Sequence, residues 1–250
     1  VTREGQAGRD DELGLAPAEA EGVVKYDARH TDRPLPATLA PLAMTLAAWR
    51  HPLRALGWLG RQEGRYGGYG FGNLSMRLPT GLVRELAGEL AAEDDLDPGD
   101  APFLVTGSQT GGEARLGLAG FALVARHDLA ANRLWSRGGV AASSESLTHA
   151  ALYAASPGVG AVFHVHAPEL WRRRDELGLE TTSADVAYGT PAMAAEVAGS
   201  LRRLEPRDPG ARDPGGGLVA MAGHEDGILA WGPDPAAAGR ALLAAAGWWA

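Results

Sequence analysis

The chain has 250 residues, 45% hydrophobic and 22% charged, which is apolar material enough for one core of ordinary size. It has no cysteine, so disulfides, thiolate nucleophiles and sulfur metal ligands are excluded, and any metal must be held by nitrogen or oxygen. With 31 acidic and 23 basic residues the net charge is -8, which disfavours nucleic acid or an anionic membrane as partner and favours a small-molecule substrate.

Residues 1–35 read as a flexible or loosely packed segment, with scattered acids and no apolar leader core. Residues 36–250 read as one domain, because neither an internal repeat nor a long linker divides them. No run reaches the roughly 18 apolar residues of a spanning helix, and a cytoplasmic protein is expected. Leu39 to Gly64 predicts two helices broken near His51 and Pro52. GYGFGNLSMRLP and PFLVTGS predict strands, and FALVARHDLAANRLWSRG a pair of strands turning near Asn132. SSESLTHAALYAA predicts a serine-capped helix, VGAVFHVHAP a strand, and TPAMAAEVAGSLRRL a helix opened by Thr190 and Pro191. GLVAMAGHEDGILAWG closes as a hairpin with His224 to Gly227 at its tip, before a final helix in PAAAGRALLAAAGWW. The glycine cluster at 215–217 reads as a surface loop. Hairpins flanked by helices make a layered α/β domain whose sheet is mainly antiparallel.

His164 and His166 are two apart on a predicted strand, so both imidazoles leave one face while Phe163 and Val165 enter the other. That spacing suits two ligands of one metal; the plain alternative is a pair of satisfied histidines at a sheet edge. His224, at the hairpin tip, can complete three nitrogen ligands and leave a coordination position open. Glu145 opens the helix just before the metal strand, and the short connection SPGVG keeps it at the same edge of the sheet. His30, His51 and His127 read as solvated or structural. His149, one helical turn after Glu145, stays open between a structural and a functional part. Lys25 is the single lysine, so Schiff-base chemistry and a P-loop lysine are both disfavoured.

Four motifs in order resemble the class II aldolase/adducin family: Gly72-Asn73-Leu74-Ser75, Thr106-Gly107-Ser108, Ser143-Ser144-Glu145 with His149, and His164-Val165-His166 with His224. The resemblance runs from about Leu56 to Gly232. It implies a three-layer α/β/α sandwich around a central, mainly antiparallel sheet, and a homotetramer with its site at a subunit boundary. It implies one divalent metal per chain on His164, His166 and His224, zinc first, with manganese, cobalt or iron as alternatives. Glu145 takes the acid/base part, and Gly72, Asn73, Ser108, Ser143 and Ser144 a phosphate cradle. The implied activity is that of a metal-dependent lyase that cleaves a small carbonyl substrate, a sugar phosphate first, through a metal-stabilised enediolate. A chain without a usable lysine needs such a Lewis acid for the charge left by carbon–carbon cleavage. Serines and N–H groups at a helix start suit an anion, although an ordinary N-cap would look the same.

Three departures bear on the substrate. Gln109 stands where sugar-phosphate aldolases carry glycine, beside the cradle. The third ligand lies in Gly223-His224-Glu225-Asp226-Gly227, which puts two carboxylates near the metal unless they are a solvated tip. The family's tyrosine proton donors have no clear counterpart; Tyr188 is the remaining candidate. Dehydration, epimerisation or decarboxylation on the same metal is therefore the nearest alternative, and a non-catalytic adducin-like interaction module the alternative of another class.

Overall fold

The computed structural model describes residues 24–90, 101–204 and 216–248. β1 (Asp27–Asp32), α1 (Ala40–Ala55), the short β2 (Gly60–Arg61) and β3 (Gly70–Phe71), β4 (Asn73–Arg77) and α2 (Thr80–Leu90) come first. β5 (Phe103–Thr106), β6 (Phe121–Asp128) and β7 (Arg133–Gly138) lead to α3 (Ser146–Ala155), β8 (Ala161–His166), α4 (Pro168–Arg172) and β9 (Glu180–Thr181). α5 (Pro191–Leu204), β10 (Gly217–Ala220), β11 (Gly227–Gly232) and α6 (Pro235–Ala245) complete the order. Among the described residues, nine strands make one sheet, β1-β7-β6-β5-β4-β8-β11-β10-β9, while β2 and β3 pair separately. Within the large sheet only β1·β7 and β10·β9 are parallel.

Strand alternation divides the core into two faces. Leu74, Leu104, Leu123, Phe163, Val165 and Ile228 pack with α1 and α6 residues such as Leu46, Leu53 and Leu242. Phe103, Val105, Val124, Val162 and Leu229 pack with Leu147 and Leu152 of α3 and Val197 and Leu201 of α5. The result is the expected helix, sheet, helix layering. The pairing Ser75↔Val162 sets β4 beside β8, and Arg77 at the end of β4 donates to the Tyr153, Ser156 and Val159 carbonyls. A guanidinium on those last carbonyls satisfies the C-terminus of α3 and holds its axis against the sheet.

Three expectations are corrected. The break at Pro52 is absent: α1 runs through it, one ladder donor short, with Leu46 and Leu53 on either side fully buried in the core. The helix ends instead at Ala55, and the left-handed Gly57 just beyond it, at φ 72°, lets Gly57 N–H reach the Arg54 carbonyl and Trp58 N–H that of Leu53. The segment expected to be loose over 1–35 contains β1, paired with β7 from Asp27↔Arg133 to Asp32↔Gly138 and preceded by the buried Tyr26. Residues 1–23 lie outside the described residues, as does Gly215 of the glycine cluster, whose Gly217 opens β10 instead of lying in a surface loop. The N-cap of α3 is Glu145 and no side chain caps the helix, so Ser143 and Ser144 are not capping serines. The helices α2 and α4 and the short β9 carry no expectation from the sequence reading. No helix among the described residues is long and apolar enough to cross a membrane.

Candidate metal centre and adjoining polar cleft

His164 and His166 leave β8 on the α3 side of the sheet, opposite Phe163 and Val165, as the period of two demands. His224 comes from the tip of the β10–β11 hairpin, where His224 N–H donates to the Met221 carbonyl and Gly227 N–H to that of His224. The Ala167 N–H donates to the Asp226 carbonyl and ties this tip to the end of β8. One nitrogen from each of the three rings lies within 4.8 Å of the others, and all three residues are buried. The ring centroids stand 5.1 Å (164–166), 4.9 Å (164–224) and 4.8 Å (166–224) apart. Burial, then His224 and Arg65, hold the His166 imidazolium well below the ordinary histidine range, so this ring offers a neutral nitrogen. Three buried imidazoles without a thiolate fit a divalent ion of the zinc, manganese, cobalt or iron type.

Glu145 reaches this group from the start of α3. It is fully buried, and its Oε1 stands 3.6 Å from His224 Nδ1. His149, one turn on, faces elsewhere: its Nδ1 and the Tyr153 hydroxyl both lie 2.7 Å from Ser75 Oγ, in a buried polar group between α3 and β4.

The six residues expected around a phosphate, Gly72, Asn73, Ser108, Gln109, Ser143 and Ser144, line one polar cleft together with Gly70, Gly107 and Gly111. Asn73 pairs with His164 across β4 and β8, so the cleft opens beside the histidines. Gly72, at φ 75°, turns the chain between β3 and β4, where a Cβ would crowd the His164 and Trp58 carbonyls at 3.2 Å. On the far side, Ser108 N–H donates to the Ala141 carbonyl, and the Tyr26 hydroxyl donates to the Ala142 and Ser143 carbonyls. Gln109 adopts a left-handed φ of 61°, and its Oε1 accepts the Gly70 N–H at 2.9 Å.

The family model of the Class II Aldolase and Adducin N-terminal domain matches residues 65–246. The chain belongs to this family. Among solved members of the class II aldolase fold, L-fuculose 1-phosphate aldolase is 16% identical at a TM-score of 0.50, over 86% of this chain and 84% of that one. A sugar-phosphate aldolase from Thermotoga maritima is 13% identical at 0.56, over 84% and 92%. An aldolase II superfamily protein from Pseudomonas syringae is 14% identical at 0.53, over 86% and 75%. At these identities the likeness is one of fold. No curated protein matches the chain.

Beside the three histidines stand Asp226 and Tyr188, which the sequence singles out for the site, and Tyr66, Arg65 and Lys25, which it does not. The Tyr66 ring packs edge-on to His166 at 4.4 Å, and its hydroxyl donates to Asp226 Oδ2 at 2.6 Å while accepting from Arg65 Nη2. Burial first, then the Asp226 bond, raises the Tyr66 phenol above its ordinary value. Asp226 is buried and paired with Arg65 at 3.5 Å, so it is not a solvated tip, whereas Glu225 is exposed. Tyr188 stacks on His224 at 4.5 Å, and Lys25 places its ammonium 3.8 Å above the Tyr188 ring. Tyr66 lies in a glycine-rich stretch whose path no periodicity reveals, and Lys25 in a segment expected to be loose.

Proposed function

We propose that this class II aldolase family member is a divalent-metal-dependent, aldolase-like lyase that acts on a small carbonyl substrate, a sugar phosphate first. The observation that carries the reading is the convergence of three buried imidazoles and a buried carboxylate beside a polar cleft. His164, His166 and His224 would hold the ion, which when bound supplies Lewis acidity for a carbonyl and its developing negative charge. Glu145 would hold and return the proton, since a carboxylate shut away from water is a stronger base than an exposed one. Asn73, Ser108, Ser143 and Ser144 would orient the substrate by its anionic group, away from the bond that breaks. The tetramer implied by the family resemblance is tested by light scattering.

Metal analysis joined to Glu145→Gln tests the centre. The wild type is expected to hold about one zinc, manganese, cobalt or iron per chain and to cleave a probe such as L-fuculose 1-phosphate to a phosphorylated ketone and an aldehyde. Glu145→Gln keeps the shape without the proton carrier, so the metal should stay while turnover falls about 10²-fold or more. A protein that refuses these metals, or a variant with undiminished turnover, would overturn the assignment. Metal binding without cleavage would favour dehydration, epimerisation or decarboxylation at the same centre.

A further inference from the structure

Two arginines of α1 reach the back of the loop that walls the cleft. Arg50 is 2% exposed, and its Nη2 donates to the Thr110 and Glu113 carbonyls at 2.9 and 2.8 Å. Arg54 Nη1 donates to the Gly111 carbonyl between them. Arg50 Nη1 has no hydrogen-bond partner among the described residues. Its charged neighbours are Arg54, a like charge, and Glu113, which is exposed on the loop itself. Burial, then Arg54, lowers the Arg50 guanidinium to about 10 against a smaller opposing pull from Glu113, so it remains a cation at neutral pH.

A buried cation bonded to carbonyls instead of a carboxylate is costly unless something nearby uses its field. Across a trans peptide the N–H points opposite to the C=O, so fastening the Thr110 carbonyl to Arg50 turns the Gly111 N–H away from it, and Gly111 lines the cleft. Among the described residues, the cleft wall contains no cationic side chain. One of its lining residues, Asn73, is 4% exposed, and its Oδ1 lacks a partner among the described residues. The site is thus polar and incomplete on the ligand side, with its positive charge one peptide layer behind.

We propose that Arg50 and Arg54 are positioning residues for the anion cleft, holding the loop at 107–113 and raising the cleft's affinity for a dianionic phosphate group through the peptides of that loop. They do not touch the ligand. This inference rests on the reading that the cleft takes the substrate's anionic group.

Arg54 is the better site for the test, because Arg50 is buried and replacing it removes the donor to the Thr110 and Glu113 carbonyls together with buried volume. Full-length, metal-loaded wild type, Arg54→Gln and Arg54→Lys are titrated calorimetrically with inorganic phosphate at pH 8, where it is the dianion. Arg54→Gln is expected to raise the phosphate Kd about tenfold, while Arg54→Lys, which keeps the charge, stays within about threefold. Metal content and Tm should change little in both, which separates a field effect from a disturbed fold. A wild-type Kd in Arg54→Gln overturns the proposal, and so does an equal loss in Arg54→Lys, since shape and not charge would then be responsible. If wild type itself binds no phosphate, the cleft reading falls and this inference with it, whereas the metal and Glu145 would stand. Repeating the titration with a phosphate monoester separates a free-phosphate site from a substrate site: binding as tight or tighter supports the proposal, and exclusion of the ester overturns it.

Discussion

Gln109 holds a left-handed φ of 61° that costs a residue with a Cβ about 1 kcal/mol, and the return is the Gly70 N–H accepted at 2.9 Å. That N–H sits on the wall of the cleft, so the amide oxygen occupies a donor that an anion's oxygen would otherwise find. Gln109→Gly should therefore strengthen phosphate binding several-fold, while relief of strain and loss of one hydrogen bond leave stability within about 1 kcal/mol of wild type. Calorimetry and urea unfolding check the two halves; weaker phosphate binding would mean that the Gln109 amide is itself an anion donor. Gln109 could be singled out from sequence because it departs from a pattern. His164 and His166 could be placed on one face because strands alternate strictly. Asp226 could be brought near them as a neighbour of His224, but Tyr66 and Arg65 could not, because they meet the hairpin tip from a loop 160 residues away.

At the level of elements, legibility followed periodicity. α3, α5, β8 and the β10–β11 hairpin carry their own pattern and signals, and they position Glu145, His164, His166 and His224. Pro52 misled, because burial of Leu46 and Leu53 in the core accompanies a helix that runs through the proline, and a local reading cannot supply that packing. The cleft wall depends instead on backbone touching backbone. A Cβ on Gly111 would stand 2.4 Å from the Gly60 carbonyl oxygen and 2.9 Å from the Phe71 N and O, with no flexible side chain to yield. Gly111→Ala should accordingly cost about 2–3 kcal/mol and weaken phosphate binding, as β2 and β3 are pushed off the loop. Gly117→Ala is the control, since nothing lies within 4 Å of its Cβ, and should change stability by less than about 0.5 kcal/mol. Equal effects at the two positions, read by urea unfolding, would show that close packing at Gly111 does not hold the cleft.

Across the whole molecule, the layered order was legible because apolar runs and helices alternate along the chain, whereas the edge strand β1 was hidden by its polar sequence DARHTD. The layering buries a titratable group that the sequence left open. His149 is enclosed between α3 and β4, and desolvation alone lowers its imidazole to about 3 from an ordinary value of 6.5. As pH falls below 6.5 the unfolded chain takes up this proton before the folded one does. The folded state therefore keeps its full stability above about pH 6.5 and loses it progressively towards pH 3, by about 1.4 kcal/mol per pH unit from this group. His149→Asn keeps an acceptor close to the Nδ1 position facing Ser75 and removes the titration. It should be somewhat less stable at pH 7.5 because it is smaller, yet its stability should fall less steeply on acidification, by one proton's worth of slope. Urea unfolding of both proteins at pH 7.5, 6, 5 and 4 measures that difference, and His164, His166 and His224, common to both, cancel from it. Parallel curves would show that His149 takes up its proton at the same pH in the folded protein as in the unfolded chain, and that Ser75 and Tyr153 hold an imidazolium between the layers once the pH falls below about 6.5.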